Sequence, residues 1–201
     1  MGKAIALIFA DNDWEVVALG RSDLDLTDRR EVTRFFETNP CDLLVCCAGM
    51  IRDVPISHMN DDDWDHVFTV NFKAAALCAA SSVSSMLAKK RGHVVFVSSY
   101  AALRPAMGQA AYATAKAALH GLAQDMAAKY GHINLRFNVV LPGFLETPMT
   151  SVVSDKRKAS IRAAHCLGHF NTPEVAARFI RFLEEEMPFT SGQVFSLDSR
   201  L

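Results

Sequence analysis

The residues best placed to do chemistry are Ser99, Tyr112 and Lys116. Tyr112 and Lys116 are four positions apart in an alanine-rich, helix-favouring run, so their side chains share one helix face. A free tyrosine has a pKa of about 10 and transfers protons poorly at neutral pH, but a nearby cation favours the phenolate. The pair therefore suggests a tyrosine that exchanges a proton with a substrate oxygen. It also fits a tyrosine packed beside a solvated lysine, so the surrounding elements must decide.

Short apolar runs alternate with amphipathic ones along the chain. With continuous apolar strands, this alternation predicts an α/β fold in which helices cover both faces of a Rossmann-like, doubly wound parallel sheet. The length of 201 residues suits a single domain, residues 1–201. Strands are predicted at 15–19, 23–26, 43–47, 93–98, 134–141 and 193–197, and helices at 2–12, 27–38, 61–89, 109–130 and 173–185.

Four unusual sites follow predicted strands. They are Arg21, Ala48-Gly49, Ser98-Ser99 and Pro142-Gly143. In parallel sheets, ligands bind at the carboxyl ends of the strands. Since these sites converge on one edge, the pattern favours a proton-transfer site over a packed tyrosine.

Composition excludes several classes of partner. The formal net charge of −1 gives no general attraction for nucleic acid or an anionic membrane. No apolar stretch approaches the roughly 18 residues that span a bilayer, and the short apolar N-terminal patch is not a secretory signal.

The cysteine pattern predicts a reduced, cytoplasmic protein. The five cysteines are odd in number and contain no Cys-x-x-Cys motif, which argues against a disulfide framework. His165, Cys166 and His169 lack a fourth ligand, so no metal site is expected.

Taken in order, the motifs resemble the short-chain dehydrogenase/reductases, and their spacing is closest to the 3-oxoacyl-acyl-carrier-protein reductase branch. The matching segments are 44–49, 70–71, 97–99, Tyr112-x-x-x-Lys116, 138–143 with Thr147, and 190–193, together with 50–53 and 167–174.

The resemblance implies four catalytic residues. Tyr112 would be the general acid, donating its proton as hydride reaches the carbonyl carbon. Lys116 would lower the Tyr112 pKa and hold the nicotinamide ribose. Ser99 would bind the carbonyl oxygen, where charge develops. Asn71, inside the long helix, would hold a water that links Lys116 to solvent. A satisfied strand-end hydroxyl at position 99 and a tolerated asparagine at position 71 are the alternatives.

The resemblance also implies a nicotinamide cofactor. Pro142-Gly143 would lie beneath the flat ring, since glycine permits close approach; an ordinary turn is the alternative. Arg21 suits a 2′-phosphate, which favours NADP(H) over NAD(H), although a solvated arginine is also possible. The full implied set is Arg21, Asp25, Cys47, Ala48, Gly49, Tyr112, Lys116, Pro142, Gly143 and Thr147.

The chain departs from the family pattern at its beginning. It lacks the first buried strand and the Thr-Gly-x-x-x-Gly-x-Gly turn, and Gly2 aligns with the last glycine of that turn. We expect an N-terminally shortened version of a longer protein, with the first strand absent. Removing a central strand would open a gap of nearly 10 Å and leave unpaired backbone groups at about 1–3 kcal/mol each.

Three smaller departures follow. The connection from Arg21 to Asp28 is too short for the usual helix, which trims the adenosine pocket. Cys47 replaces the asparagine that normally ties neighbouring strand ends together. Asp198-Ser199-Arg200 stands where Asp-Gly-Gly is usual, and we expect this change to matter less.

The function implied by the resemblance is NADPH-dependent reduction of a 3-oxoacyl thioester or a similar small ketone. Four basic residues, Lys156, Arg157, Lys158 and Arg162, suit an acidic acyl carrier protein, or form a solvated helix face. Small residues in helices 74–85 and 110–128 permit a homodimer or homotetramer, or burial against the chain's own sheet. Two alternative functions remain: a catalytically impaired relative with a binding or regulatory role, and a related epimerase or dehydratase.

Overall fold

The computed structural model describes residues 1–200, and the sheet and its helices follow the predicted alternation. Within these residues there are seven α-helices and four strands. In chain order they are α1 (Gly2–Ala10), α2 (Arg29–Thr38), β1 (Leu43–Cys46), α3 (Asp61–Phe68), α4 (Ala74–Lys89), β2 (Gly92–Val97), α5 (Ala110–Tyr130), β3 (Leu135–Leu141), α6 (Asp155–Ala164), α7 (Pro173–Glu185) and β4 (Val194–Ser196).

The four strands form one parallel sheet in the order β1-β2-β3-β4. Both faces of the sheet are covered. From β2, Val94 and Phe96 pack in a core that includes residues of α4 and α5, while Val95 and Val97 pack in a second core that includes residues of α1 and α7. Since successive strand residues point to opposite faces, β2 reads as a continuous buried run. The predicted doubly wound sheet is therefore confirmed.

Two predicted strands, 15–19 and 23–26, are wrong. Residues 14–20 have no assigned secondary structure, and Val17 is 61% exposed. A strand needs a hydrogen-bonding neighbour, and within residues 1–200 no strand lies beyond β1 for this segment to pair with. The expectation of a gap between two strands inside the sheet is also wrong, because β1 is the edge strand of the sheet that residues 1–200 form. The β1 residues are only partly buried, so their free edge is not sealed in a core.

The long helix predicted at 61–89 is present, but it contains a π-helical turn at Thr69–Lys73 between α3 and α4. This 29-residue helix, Asp61–Lys89, is long and apolar enough to cross a membrane by length and composition. The expectation that no stretch approaches that length is therefore wrong. In the fold, Ala79, Val83 and Met86 of this helix pack against the sheet as part of the core.

Candidate active site

Three of the four sites predicted to converge lie at one edge of the sheet, whereas Arg21 follows no strand. Cys47 to Gly49 follow β1, Ser98-Ser99 follow β2, and Pro142-Gly143 follow β3. The amide of Ser98 donates to the Val140 carbonyl at 2.9 Å, which joins the ends of β2 and β3. Helix α5 starts near this edge and carries Tyr112 and Lys116 on one face.

Lys116 is buried, with 4% of its surface exposed. Its Nζ donates to the Val97 carbonyl at 3.0 Å, so the ammonium is held against the end of β2. Burial lowers the pKa of Lys116 to about 8, because the charged form loses its hydration, although the neighbouring thiols of Cys47 and Cys46 oppose the shift.

The Tyr112 pKa is raised rather than lowered, which corrects the sequence expectation. Burial is the main cause; the nearby Ser99 hydroxyl opposes the shift, and the charge of Asp53 adds to it. Lys116, whose Nζ donates to the Val97 carbonyl, is not among the groups that shift this pKa. The phenol is therefore protonated at neutral pH.

Asn71 lies in the π-helical turn and is 1% exposed. Its Nδ2 donates to the carbonyls of Met50 at 2.8 Å and Val67 at 2.9 Å, and its Oδ1 accepts from the Met50 amide at 3.2 Å. A Cβ at Gly49 would lie 2.8 Å from Asn71 Oδ1 and 3.4 Å from Lys116 Nζ. Glycine at position 49 therefore lets the β1 loop, Asn71 and Lys116 pack together. Single π-helical turns are frequent at functional sites.

Pro142-Gly143 packs against the C-terminal segment, so the departure at Asp198-Ser199-Arg200 matters more than the sequence suggested. Gly143 has φ +85°, and a Cβ there would lie 3.0 Å from Asp198 Oδ2. The buried Asp198 carboxylate binds the amide and guanidinium of Arg200, whose Cζ lies 3.6 Å from the Tyr100 ring centroid. Arg200 thus packs on the residue that follows Ser99. Glycine at position 200 could donate its backbone amide to Asp198 but could make none of the guanidinium contacts.

Three predicted residues are not joined to this cluster by the contacts of the structure. Arg21 and Asp25 lie on an exposed segment, where hydrogen bonds from Thr27 lower the pKa of the Asp25 carboxyl. Thr147 begins the 3₁₀ turn Pro148–Thr150 and bonds with Thr150.

The cluster fits part of a dinucleotide. Helix α1 has no side-chain cap at Met1, and a Cβ at Gly2 would lie 3.1 Å from Cys47 Sγ, so the α1 N-terminus lies beside the end of β1. Its first-turn amides suit a pyrophosphate, and Gly49, Lys116 and Pro142-Gly143 flank the space for a nicotinamide ribose. Arg21 and Asp25, which were expected to hold the adenosine half, lie on an exposed segment outside this cluster. Within residues 1–200, no cluster of three or more potential metal-binding side chains occurs.

The chain is similar to known proteins. A family model described as short chain dehydrogenase matches residues 22–158. The 3-oxoacyl-[acyl-carrier-protein] reductase of Thermotoga maritima is 32% identical over 228 positions, covering 100% of this chain and 93% of that protein. The (3R)-3-hydroxyacyl-CoA dehydrogenase of Mus musculus is 37% identical over 150 residues, covering 74% of this chain; the match spans 58% of the mouse protein.

One solved structure of high similarity has the same fold. The crystal structure of an oxidoreductase of the short chain dehydrogenase/reductase family from Burkholderia thailandensis superposes with a TM-score of 0.90 at 25% identity, covering 98% of this chain and 87% of that one.

Proposed function

Since this chain belongs to the short-chain dehydrogenase family and is therefore an oxidoreductase, we propose that it reduces a ketone with NADPH. The observation that carries the proposal is the arrangement at one sheet edge: Ser99 follows β2, Tyr112 and Lys116 share one face of α5, and Asn71 borders Lys116 across Gly49. The names of the relatives favour a 3-oxoacyl thioester or a similar small carbonyl compound as substrate.

In the proposed reaction, Tyr112 donates its phenolic proton to the substrate oxygen. The phenol carries its proton at neutral pH, as an unperturbed tyrosine also does, so a proton is available for this transfer. Ser99 donates a hydrogen bond to the same oxygen and stabilises the charge that develops there. A bound nicotinamide cofactor supplies the hydride.

Lys116 and Asn71 border the reacting groups. The Lys116 ammonium has a pKa of about 8 and is mostly charged at neutral pH, and its proposed role is to hold the nicotinamide ribose on the helix face that carries Tyr112. Asn71 fixes the loop after β1 through Met50 and borders Lys116 across Gly49.

The cofactor is proposed to be NADP(H) rather than NAD(H). Arg21 would meet the 2′-phosphate, Asp25 the adenine, and the α1 N-terminus the pyrophosphate. The remaining contacts would come from Cys47, Ala48, Gly49, Lys116, Pro142, Gly143 and Thr147.

Further parts of the proposal concern partners and location. None of the α6 residues is buried, so Lys156, Arg157 and Arg162 are available to an acidic acyl carrier protein. The small residues of α4 and α5 would allow a homodimer or homotetramer. All five cysteines are free thiols, which supports a cytoplasmic location.

A second candidate is a binding or regulatory protein without turnover. It is favoured by one observation: β1 is the edge of the sheet, and Arg21 and Asp25 lie on an exposed segment without a strand to position them. In that case the chain would bind NADPH but would not reduce a ketone.

The test is NADPH oxidation by the 201-residue chain with an acetoacetyl thioester, together with NADPH fluorescence titration. We expect turnover in the wild type and at least a hundredfold loss in Tyr112→Phe with NADPH binding retained. Tyr130→Phe is the matched control, because Tyr130 packs on Phe137 at the far end of α5. NADPH binding without turnover across a ketone panel would favour the second candidate.

A further inference from the structure

The hydroxyl of Ser98 joins the end of β2 to α5. Its Oγ lies 3.0 Å from the Lys116 carbonyl oxygen and 3.0 Å from His120 Nε2. Ser98 is 4% exposed, and His120 is partly buried one helical turn after Lys116. Three groups on two elements therefore meet at one buried oxygen.

The directions of these hydrogen bonds follow from the chemistry of the groups. A carbonyl oxygen only accepts, and a serine hydroxyl has one proton to donate. Ser98 therefore donates to the Lys116 carbonyl and accepts from His120, which carries its proton on Nε2. Burial lowers the pKa of His120 and favours the neutral ring, so this tautomer is the one that satisfies the cluster.

The position of this cluster connects it to the reacting groups. Ser98 directly precedes Ser99 in the chain. The carbonyl to which Ser98 donates belongs to Lys116, which lies one helical turn after Tyr112. The neighbouring Val97 carbonyl holds the Lys116 ammonium at 3.0 Å. The end of β2 thus holds Lys116 by both its backbone and its side chain.

We propose that Ser98 and His120 are positioning residues that set the distance between Ser99 and Tyr112. This inference rests on the proposed function, in which those two side chains act on one substrate oxygen. Ser99 and Tyr112 come from different elements, so their spacing depends on how β2 and α5 are joined, and small misplacements reduce rate steeply.

The test compares Ser98→Ala and His120→Leu with the wild type in NADPH-dependent reduction of an acetoacetyl thioester. We expect kcat to fall about tenfold, with KM and the NADPH dissociation constant within about twofold. His120→Gln retains a side-chain N–H donor and should recover most of kcat. Ser82→Ala is the matched control, since Ser82 is fully buried and donates to Ala79 within α4 at 2.9 Å.

Hydrogen exchange at the amides of residues 112–120 separates this inference from the proposed function. Ser98→Ala should speed exchange there at least fivefold relative to Ser82→Ala, whether or not the chain turns over ketones. If the wild type is inactive but exchange responds, the link stands and the proposed function fails. Unchanged exchange, or a kcat loss in Ser98→Ala no larger than in Ser82→Ala, would overturn the inference.

Discussion

Asn71→Ala removes the side chain that joins the π-helical turn to the loop after β1. Three hydrogen bonds are lost: two donated by Nδ2, at 2.8 Å to Met50 and 2.9 Å to Val67, and one accepted by Oδ1 from the Met50 amide at 3.2 Å. At a net value of about 1 kcal/mol each, the free energy of unfolding should fall by about 3 kcal/mol.

Urea denaturation followed by tryptophan fluorescence measures this loss. With a slope of about 3 kcal/mol per M for a chain of this size, the midpoint should fall by about 1 M. We also expect kcat to fall, because Asn71 and Gly49 border Lys116.

Asn39→Ala provides the control, since Asn39 Nδ2 caps the end of α2 by donating to the Phe35 carbonyl at 2.9 Å, away from the sheet edge; its second hydrogen bond, to Thr38 Oγ1 at 3.0 Å, is exposed to water and contributes little. Its loss should stay at about 1 kcal/mol. If the midpoint of Asn71→Ala shifts no further than that of Asn39→Ala, the role assigned to the π-helical turn is refuted.

Two further predictions concern buried charges. Lys116→Met should raise the free energy of unfolding at pH 7 by about 2 kcal/mol while abolishing turnover. In the wild type, the folded-state pKa of Lys116 is about 8 against an ordinary 10.5, so burying the charged ammonium costs about 3 kcal/mol. The methionine variant avoids this cost but loses the hydrogen bond to Val97, which reduces its gain. Because the folded wild type releases this proton first, its unfolding free energy rises between pH 8 and 10.5. The advantage of the variant in urea melts should therefore vanish by pH 10.5, and an advantage independent of pH would contradict the assignment. Glu184→Ala should lower the free energy of unfolding by about 3 kcal/mol in the same melts, because it leaves His93 Nδ1 and the Arg136 guanidinium without their buried carboxylate partner. The control Glu185→Ala removes a more exposed ion pair and should lower it by less than about 1 kcal/mol. Equal losses in the two variants would refute the effect of burial.

Local patterns predicted the strands that have neighbours. The apolar run 93–98 forms β2 because strands on both sides complete its hydrogen bonds, and the i, i+4 spacing did place Tyr112 and Lys116 on one helix face. The run 15–19 has similar composition but remains irregular. Strand formation depends on a partner distant in sequence, which no local pattern contains.

The electrostatics of the site were less predictable. The i, i+4 spacing suggested that Lys116 lowers the Tyr112 pKa. In the structure burial raises that pKa, and the Lys116 ammonium donates to the Val97 carbonyl. The contacts of Arg200 with Asp198 and Tyr100 depend on how the C-terminal segment crosses the sheet edge. The serine pair at 98–99, directly after a predicted strand, marked Ser98 as a candidate site residue. Nothing in the sequence linked His120 to it, because their contact depends on how close α5 lies to the end of β2.

The most direct test of the central claim is hydride transfer traced with deuterium. The 201-residue chain would be incubated with NADPH carrying deuterium at the transferable C4 position and an acetoacetyl thioester, and the product analysed by mass spectrometry. We predict one deuterium at C3 of the 3-hydroxyacyl product, with product formation lost in Tyr112→Phe and retained in Tyr130→Phe. Product without deuterium, or undiminished formation in Tyr112→Phe, would contradict the claim that Tyr112 protonates a ketone as it is reduced.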